Sequence, residues 1–284
     1  MSAAEARVRP SGLALLGGRL LVSEILMVLR RRRNQLMLVA LALIPIIIGI
    51  AVKATTHGGS SADGLIGNIT DNGIFVSFTA LVVVIPIFLP MAVAVVVGET
   101  IAGEAGAGTL RYLLTVPVGR TRLLAVKFLA VASWCALIAA TVAVAGLVIG
   151  FILFPAGKVT LLSGTQTTLV GGLGRLLVVV GYAALMMIAL AAVGLFISTL
   201  TEVPVAAMAA SLGAAITMQV LVAVPQLHAL RPWLISNYFL DFGDMLRDPL
   251  VFNGLTHGVL AALAYIVIFF ALAWARFAGK DITS

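Results

Sequence analysis

Long apolar stretches dominate the chain, and they predict helices that cross a membrane. A spanning helix needs about 20 mostly apolar residues to cross roughly 30 Å of hydrocarbon. Six stretches reach this length, and none shows the alternation of polar and apolar residues that a membrane β-barrel strand requires. They lie at about 34–52, 74–97, 128–153, 176–200, 203–224 and 255–275. The expected fold is an all-α integral membrane protein, with a single domain of six transmembrane helices over 34–275.

The composition supports a membrane protein, because apolar residues make up 62% of the 284 residues and charged residues only 10%. A soluble globular chain carries roughly 25% charged residues. The net charge of +7 would indicate a nucleic-acid partner in a soluble chain, but here the charges lie between apolar stretches and are interpreted as topology signals. The single cysteine, Cys135, excludes a disulfide within the chain and a cysteine-rich zinc site.

Positive charges next to the spans predict the orientation. Arg30 to Arg33 directly precede the first span, and such clusters are held on the cytoplasmic side. The N-terminal segment 1–33 and the tail 276–284 would then both be cytoplasmic, in a multi-pass protein of the plasma (cytoplasmic) membrane. With this assignment thirteen Lys and Arg residues lie inside and five outside. A missed or extra span would place every later loop on the opposite side of the membrane, and the count would no longer show an excess of positive charge inside.

The N-terminal segment contains an apolar stretch over 13–29 that polar residues interrupt. Because Arg19 and Glu24 lie within it and no small-residue cleavage site follows, it differs from a signal peptide. Arg19, Ser23 and Arg30 fall on one strip of a helical wheel, which is typical of a helix on the inner membrane surface. A short seventh hydrophobic segment packed against the bundle is the alternative. The arginine cluster could also bind anionic membrane lipid.

The loops leave no room for a soluble catalytic domain, so any chemistry belongs to the bundle or to a partner. The Gly-x-x-x-x-Gly-Lys-Ser/Thr pattern of P-loop ATPases is absent, as are His-Glu-x-x-His and Gly-x-Ser-x-Gly. The chain is therefore predicted not to be an enzyme and to hold no cofactor itself. His57, His228 and His257 map to the outer side, far apart in sequence, and are interpreted as loop histidines, with a metal role left open.

Acidic residues argue against a carrier driven by an ion gradient. Such carriers usually hold carboxylates near mid-membrane, where a charge is costly and is kept for function. All eleven acids of this chain lie in loops or at the ends of the predicted spans.

Proline and glycine give two further signals within the spans. Pro45, Pro86 and Pro90 should bend the first two spans, because proline removes a backbone donor. Such kinks can shape a pathway, although they are also common as packing features. Gly146 and Gly150 would allow another helix to approach closely, within the chain or between two subunits.

The cytoplasmic segment 98–127, between spans two and three, is the most informative part of the sequence. Thr109 can cap a short helix over 110–116, which Pro117 and Gly119 would end. Its apolar residues lie on neighbouring faces; they are Leu110, Leu113 and Leu114. From the residues alone, an interfacial helix that dips these leucines into lipid and a helix that docks on a partner protein remain equal alternatives.

An ordered set of residues runs along this segment: Glu104, Gly108, Thr109, Leu110, Leu113, Leu114, Pro117, Arg120, Leu123, Leu124 and Lys127. The set closely resembles the inner loop of the ABC transporter type-2 permease family. The order of elements is similar as well, with a surface helix, six spans, a short turn between spans four and five and a long outer segment before span six. The ending, Phe277 followed by 280–282, also looks like the family's.

The resemblance implies the membrane subunit of an ATP-driven exporter, working with a second permease chain and with soluble ATP-binding subunits that hold ATP and magnesium. In this family the loop helix, called the coupling helix, seats in a cleft of the ATPase, and an N-terminal elbow helix lies beside it. By position, the contact would be formed by Glu104, Thr109, Leu110, Leu113 and Leu114, with Arg111 and Tyr112 at its rim. The outer segment 225–254 would form short re-entrant helices.

The leading hypothesis is a permease for a hydrophobic or amphipathic substrate, with drugs, lipids and peptides all open and with export implied by the family. One alternative is a non-transporting membrane scaffold or assembly factor that works with a partner ATPase. Another is an ion-coupled carrier.

Overall fold

The computed structural model describes residues 10–56, 72–106, 108, 119–155, 159–160, 165–246 and 253–279. Nine α-helices lie within these ranges. They are α1 (Pro10–Arg30), α2 (Arg32–Thr56), α3 (Ile74–Val84), α4 (Phe88–Thr100), α5 (Ala102–Gly106), α6 (Arg120–Leu153), α7 (Leu169–Leu200), α8 (Pro204–Ala223) and α9 (Asn253–Ala278). The helices therefore make up most of the described chain.

Two small non-α features lie between the long helices. Strands β1 (Val159–Thr160) and β2 (Gln166–Thr167) pair antiparallel just before α7. A run of three 3₁₀ helices over Pro225–Trp233, Ile235–Tyr238 and Asp241–Leu246 connects α8 toward α9, and we call it the 3₁₀ segment. Strands of two residues give no period in the sequence long enough to detect.

Five helices are long and apolar enough to cross a membrane, namely α2, α6, α7, α8 and α9. The pair α3 and α4 passes the same test together, with a bend of 59° at the break between them. Counted as one span, this pair brings the number to six. The prediction of an all-α integral membrane protein is confirmed at this level.

Two helices begin well before their apolar stretches. Helix α6 begins at Arg120 rather than near 128, and α7 begins at Leu169 rather than near 176. Before the apolar stretch of α6 the chain carries arginine, leucine and lysine, which are good helix formers. The start of α7 is capped by Thr168, whose hydroxyl oxygen accepts a hydrogen bond from Gly171 N at 3.2 Å. Lys127 and Arg175 consequently lie inside these helices, each just before the predicted apolar stretch.

Helix α7 is the centre of the bundle. Two thirds of its apolar window is buried inside the protein (67%), compared with 17–33% for the other four long helices. It packs against α4, α6, α8 and α9. Small residues such as Ala191, Ala192 and Gly194 are buried along α7, and they let these neighbours approach closely.

The break in the second span lies at 85–87 and includes Pro86. Pro90 lies in the first turn of α4, where its missing N–H costs little because that group has no partner within the helix. Pro45 lies inside α2, which continues from Arg32 to Thr56. The Gln219 side-chain amide of α8 donates a hydrogen bond to the Pro86 carbonyl and so satisfies an acceptor at the break.

The Gly146 and Gly150 pair packs within the chain, against α3. A Cβ atom added to Gly146 would lie 2.7 Å from the Ser77 Cα, and one added to Gly150 would lie 2.0 Å from the Gly73 oxygen. Ser77 Oγ also donates to the Ala143 carbonyl at 2.9 Å. These glycines therefore set the distance between α3 and α6.

Candidate functional site

The loop that is predicted to be cytoplasmic and to contact an ATPase is described only at its ends. Six of its predicted contact residues lie outside the described residues, so their roles stay predictions; they are Thr109, Leu110, Arg111, Tyr112, Leu113 and Leu114. At the start of the loop, the short helix α5 carries Glu104. Gly108 follows α5 with φ of +67°, a left-handed conformation that glycine adopts without strain and that commonly ends helices.

Lys127 of α6 joins the two ends of this loop. Its ammonium nitrogen lies 2.5 Å from Glu104 Oε1 and 3.4 Å from both carboxylate oxygens of Glu24 in α1. The Lys127 side chain is only 4% exposed, and those of Glu24 and Glu104 are 15% and 17% exposed. One buried cation therefore holds α1, α5 and α6 together.

A second set of ion pairs lies beside the first. Arg33 Nη1 of α2 lies 2.6 Å from Glu99 Oε1, and Arg31, at the corner between α1 and α2, pairs with the other Glu99 oxygen. Glu99 lies in the last turn of α4, where the helix dipole disfavours a negative charge. The two guanidinium groups offset that effect.

These six side chains form what we call the ionic cluster: Glu24, Arg31, Arg33, Glu99, Glu104 and Lys127. Its three cations balance its three carboxylates. They line or adjoin a pocket of about 30 Å³, which exceeds the roughly 10–15 Å³ that one water molecule needs. The cluster connects α1, α2, α4, α5 and α6 at a single end of the bundle.

The electrostatics of the cluster depend on how far each group is buried. Burial raises the pKa of Glu104 above its ordinary value of 4.5, while the charge and the hydrogen bond of Lys127 lower it. Removing two charges from water costs desolvation free energy, and the attraction between two close, opposite charges offsets much of that cost. The pair therefore depends on both partners being present.

Backbone contacts hold the corner between α4 and α5 against the rest of the bundle. Ser198 Oγ of α7 accepts hydrogen bonds from Ile101 N and Ala102 N at 3.3 and 3.0 Å, and it donates to the Gly98 carbonyl at 3.2 Å. A Cβ added to Gly106 would lie 2.7 Å from the Glu202 carbonyl oxygen, just after α7. The base of the loop therefore rests on the central helix.

The corner between α1 and α2 is also fixed by hydrogen bonds. The Asn34 side-chain amide of α2 donates to the Val28 carbonyl of α1 at 2.7 Å, and Asn34 N donates to the Arg31 carbonyl at 2.9 Å. Asn34 is 1% exposed. The two helices therefore meet at a defined angle that places Arg31 and Arg33 beside Glu99.

An apolar pocket of about 190 Å³ lies between α2 and α4, immediately after the break in span two. Met37, Leu41 and Ile44 of α2 line one wall, and Phe88 and Met91 of α4 line the other. An apolar cavity of about 150 Å³ is known to accept a benzene ring, so this pocket is large enough for a small ring or a short alkyl chain. Methionine walls can adapt to different shapes.

The 3₁₀ segment lies at the opposite end of the long helices and packs against α7 and α9. Tyr182 of α7 donates to the Tyr238 carbonyl at 2.7 Å, and Tyr265 of α9 donates to the Trp233 carbonyl at 2.7 Å. Trp233 is 77% exposed, which suits a tryptophan at a membrane–water interface. Its predicted re-entrant character is not decided by these contacts.

The acids and histidines near the 3₁₀ segment do not form a recognisable metal site. Burial, and next the charge of Asp244, raise the pKa of Asp241, which His257 lowers. His257 Nδ1 lies 2.6 Å from the Asn253 carbonyl of its own helix, and His57 lies outside the described residues. Across the ranges that the structure describes, no group of three His, Cys, Asp or Glu side chains is placed to hold a metal ion.

Sequence reasoning identified some members of the ionic cluster but not their association. Glu104 and Lys127 belonged to the ordered set of loop residues, Arg31 and Arg33 were interpreted as topology signals, and Glu24 as an interruption of an apolar stretch. One signal could have found the cluster. Charges of both signs that border apolar stretches at the same predicted membrane face must find partners when they are buried.

Comparison with known proteins gives one clear result. The model of a family described as "ABC-2 family transporter protein" matches residues 20–212, which is more than half of the chain. The match begins within α1, ends within α8 and includes all six residues of the ionic cluster. A comparison with curated protein sequences gave no match.

Proposed function

Because the chain belongs to the ABC-2 transporter family, whose members are membrane subunits of ABC transporters, we propose that it is the permease subunit of an ATP-driven exporter. It would form the translocation pathway for a hydrophobic or amphipathic substrate. ATP, with magnesium, would be bound and hydrolysed in separate soluble subunits. A second permease chain, identical or related, would complete the pathway.

The observation that best supports this proposal is the construction of the loop base. Glu104 and Lys127 bring the start and the end of the loop together, and Ser198 ties the same corner to the central helix. A loop that only linked two spans would need no such support. A loop that receives force from a partner needs a stiff base, because a flexible one would absorb the displacement.

The second span supports a pathway for apolar substrates. Its break at Pro86 separates α3, which packs on α6, from α4, which packs on α7 and α8. The apolar pocket beside the break is lined by Met37 and Met91, whose flexible side chains can adapt to an apolar ligand. Pro86, together with Pro45 and Pro90, therefore remains a candidate for shaping the pathway.

The proposed mechanism is a shift between two populated states. ATP binding draws two ATPase subunits together, and each loop carries that displacement into the spans, which favours an outward-open state over an inward-open one. The predicted contact is Glu104, Thr109, Leu110, Leu113 and Leu114, with Arg111 and Tyr112 at the rim. Transport would then be driven by ATP hydrolysis in the partner subunit rather than by an ion gradient.

The contact is tested by co-purification of the tagged full-length chain from membranes. We expect an ATP-binding protein to co-purify with the unaltered chain, and the double variant L113D L114D to lose it while remaining in the membrane, because aspartate cannot enter an apolar cleft without a large desolvation cost. The matched control is L161D L162D, which changes a leucine pair on the predicted outer side. Equal co-purification with both double variants would remove Leu113 and Leu114 from the contact.

Transport in vesicles distinguishes the three hypotheses. Vesicles that contain the assembled complex and a fluorescent amphipathic dye should move the dye only while ATP is hydrolysed. Dye movement without the ATPase, lost when the proton gradient is collapsed, would indicate an ion-coupled carrier. ATP hydrolysis by an assembled complex that moves none of a broad panel of amphipathic compounds would favour the scaffold or assembly factor.

A further inference from the structure

We propose that Lys127 is a positioning residue that couples α1 to the cytoplasmic loop, so that α1 follows the loop when the partner binds ATP. The inference rests on the proposed function, since it assumes an ATP-driven displacement of the loop. It adds a specific route for that displacement. The route runs from α5 through Glu104, Lys127 and Glu24 to α1.

The geometry gives Lys127 two separate partners that the chain brings from very different positions. Glu104 lies 23 residues before Lys127 and Glu24 lies 103 residues before it. A lysine ammonium group has three donors, so it can bind both carboxylates at the same time. Because the Lys127 side chain is almost completely buried, these contacts are not screened as a surface ion pair would be.

The energetics of a buried ion pair indicate a role other than stability. Well-packed apolar residues in place of a buried ion pair are often as stabilising or more so. Apolar contacts already hold α1 to the bundle, because Val28 and Leu29 pack against the core. The three charges are therefore better explained by a connection that must keep one defined geometry while the helices move together.

The other half of the ionic cluster provides a second link between the loop base and the corner between α1 and α2. Glu99 ends α4, just before α5, and it holds Arg31 and Arg33 at the start of α2. A displacement of the corner between α4 and α5 therefore reaches the corner between α1 and α2 by two ionic contacts. Lys127 is the member that also holds the far end of the loop, because it lies in the second turn of α6.

The inference is tested by a distance measurement on the assembled complex. Cys135, which is buried, is first replaced by alanine. Spin labels are then attached at Arg19→Cys in α1 and Val170→Cys at the far end of α7, both of which are exposed. Electron paramagnetic resonance gives the distance between the labels without nucleotide and after trapping with ATP and vanadate, and the difference measures how far α1 moves.

We expect the otherwise unaltered complex to show a nucleotide-dependent shift, and Glu24→Gln, which removes only the contact to α1, to reduce the shift by roughly half or more while the ATPase stays bound and active. Lys127→Met also removes the contact at the loop base, and it should reduce the shift at least as much in the complexes that assemble. Lys127→Arg should keep the shift, because it keeps the charge. Ser23→Ala is the matched control on α1, since the Ser23 hydroxyl bonds only to the Leu20 carbonyl of its own helix among the described groups.

Each result has one meaning. A full shift in Glu24→Gln, or in a Lys127→Met complex that assembles normally, would overturn the coupling role and leave the proposed function standing. No shift in the unaltered complex, although the ATPase is trapped, would show that α1 does not follow the loop; it would overturn the coupling role and leave the proposed function, which the vesicle assay tests, standing. A purely structural role for Lys127 would lower assembly but would not change the shift in the complexes that form.

Discussion

At the scale of single residues, the molecule concentrates its charge where α1, α2, α4, α5 and α6 meet. Lys127 is 4% exposed, and among the described residues the carboxylates of Glu24 and Glu104 pair with its charge. Glu104 lies in a balance in which burial raises its pKa and Lys127 lowers it. This balance makes the cluster sensitive to pH and to the loss of any one member.

The titration of Glu104 is a direct check of that balance. Its pKa in the folded protein lies above the ordinary value of 4.5, so its contribution to stability is complete below that pH and is lost as the pH rises through the raised pKa. We therefore expect the melting temperature of the unaltered protein to fall relative to Glu104→Gln as the pH rises above 4.5. The measurement is thermal unfolding in detergent micelles over a series of pH values.

A second variant separates the two causes of the pKa. Lys127→Gln removes the cation that lowers the pKa of Glu104 in the folded protein, so the loss of stability should continue to a higher pH than in the unaltered protein and its midpoint should rise. The same midpoint in both proteins would show that Lys127 does not act on the Glu104 carboxylate. Glu104→Gln combined with Lys127→Gln is the control, because it has no carboxylate at this position to titrate.

At the scale of helices, close backbone approach decides how the spans pack. The α3 and α6 backbones meet at Gly73, Gly146 and Gly150, where even one added carbon would overlap with a neighbour. Elsewhere, α8 contributes the Gln219 amide that satisfies the carbonyl at the break in span two. In a membrane, where apolar side chains gain little from leaving lipid, such small residues and polar contacts supply much of the specificity.

Alanine at Gly150 tests this packing. The added Cβ would lie 2.0 Å from the Gly73 oxygen, which belongs to backbone and cannot turn away, so we expect Gly150→Ala to destabilise the fold by about 1–3 kcal/mol. Gly181→Ala in α7 is the matched control, because nothing lies within 4 Å of its added Cβ. It should be neutral or stabilise by about 0.5–1 kcal/mol, since alanine is the better helix former. Thermal melts of both variants in the same micelles compare them, and equal melting temperatures would argue against close α3–α6 contact.

At the scale of the whole molecule, the orientation in the membrane links the fold to the proposed function. The ionic cluster and the loop base lie at one end of the long helices, and the β-strand pair and the 3₁₀ segment lie at the other. The basic residues that flank the spans predict that the first end is cytoplasmic. An ATPase partner can reach the loop only if that placement is right.

Cysteine labelling tests the orientation in a Cys135→Ala background. We expect Arg19→Cys and Gly279→Cys to react with a membrane-impermeant maleimide only in inside-out vesicles, and Val170→Cys only in right-side-out vesicles, because the positions lie at opposite ends of the bundle. Unaltered Cys135 should not react in either, since it is completely buried. Labelling of Arg19→Cys from the outer side would place the loop outside the cell and contradict the proposed function.

The sequence by itself determined that the fold is an all-α membrane protein. Backbone groups in lipid must be satisfied within the helix, so an apolar stretch of sufficient length has few alternatives to a spanning helix. The same reasoning could not give the true helix starts at Arg120 and Leu169, because the helical hydrogen bonds continue beyond the apolar stretch that lies in the membrane. It also could not detect the short helix α5 or the two-residue strands, which are too short to produce a period.

Tertiary structure alone decided which distant residues meet. Gly146 and Gly150 were equally suited to a partner within the chain or in a second subunit, and the backbone of α3 occupies that position. Glu24, Glu104 and Lys127 are separated by up to 103 residues, and only the packing of α1 on α6 brings their charges together. Apolar patterns fix where helices form, because each stretch responds to lipid locally, whereas pairing between helices depends on shape and charge that no single stretch contains.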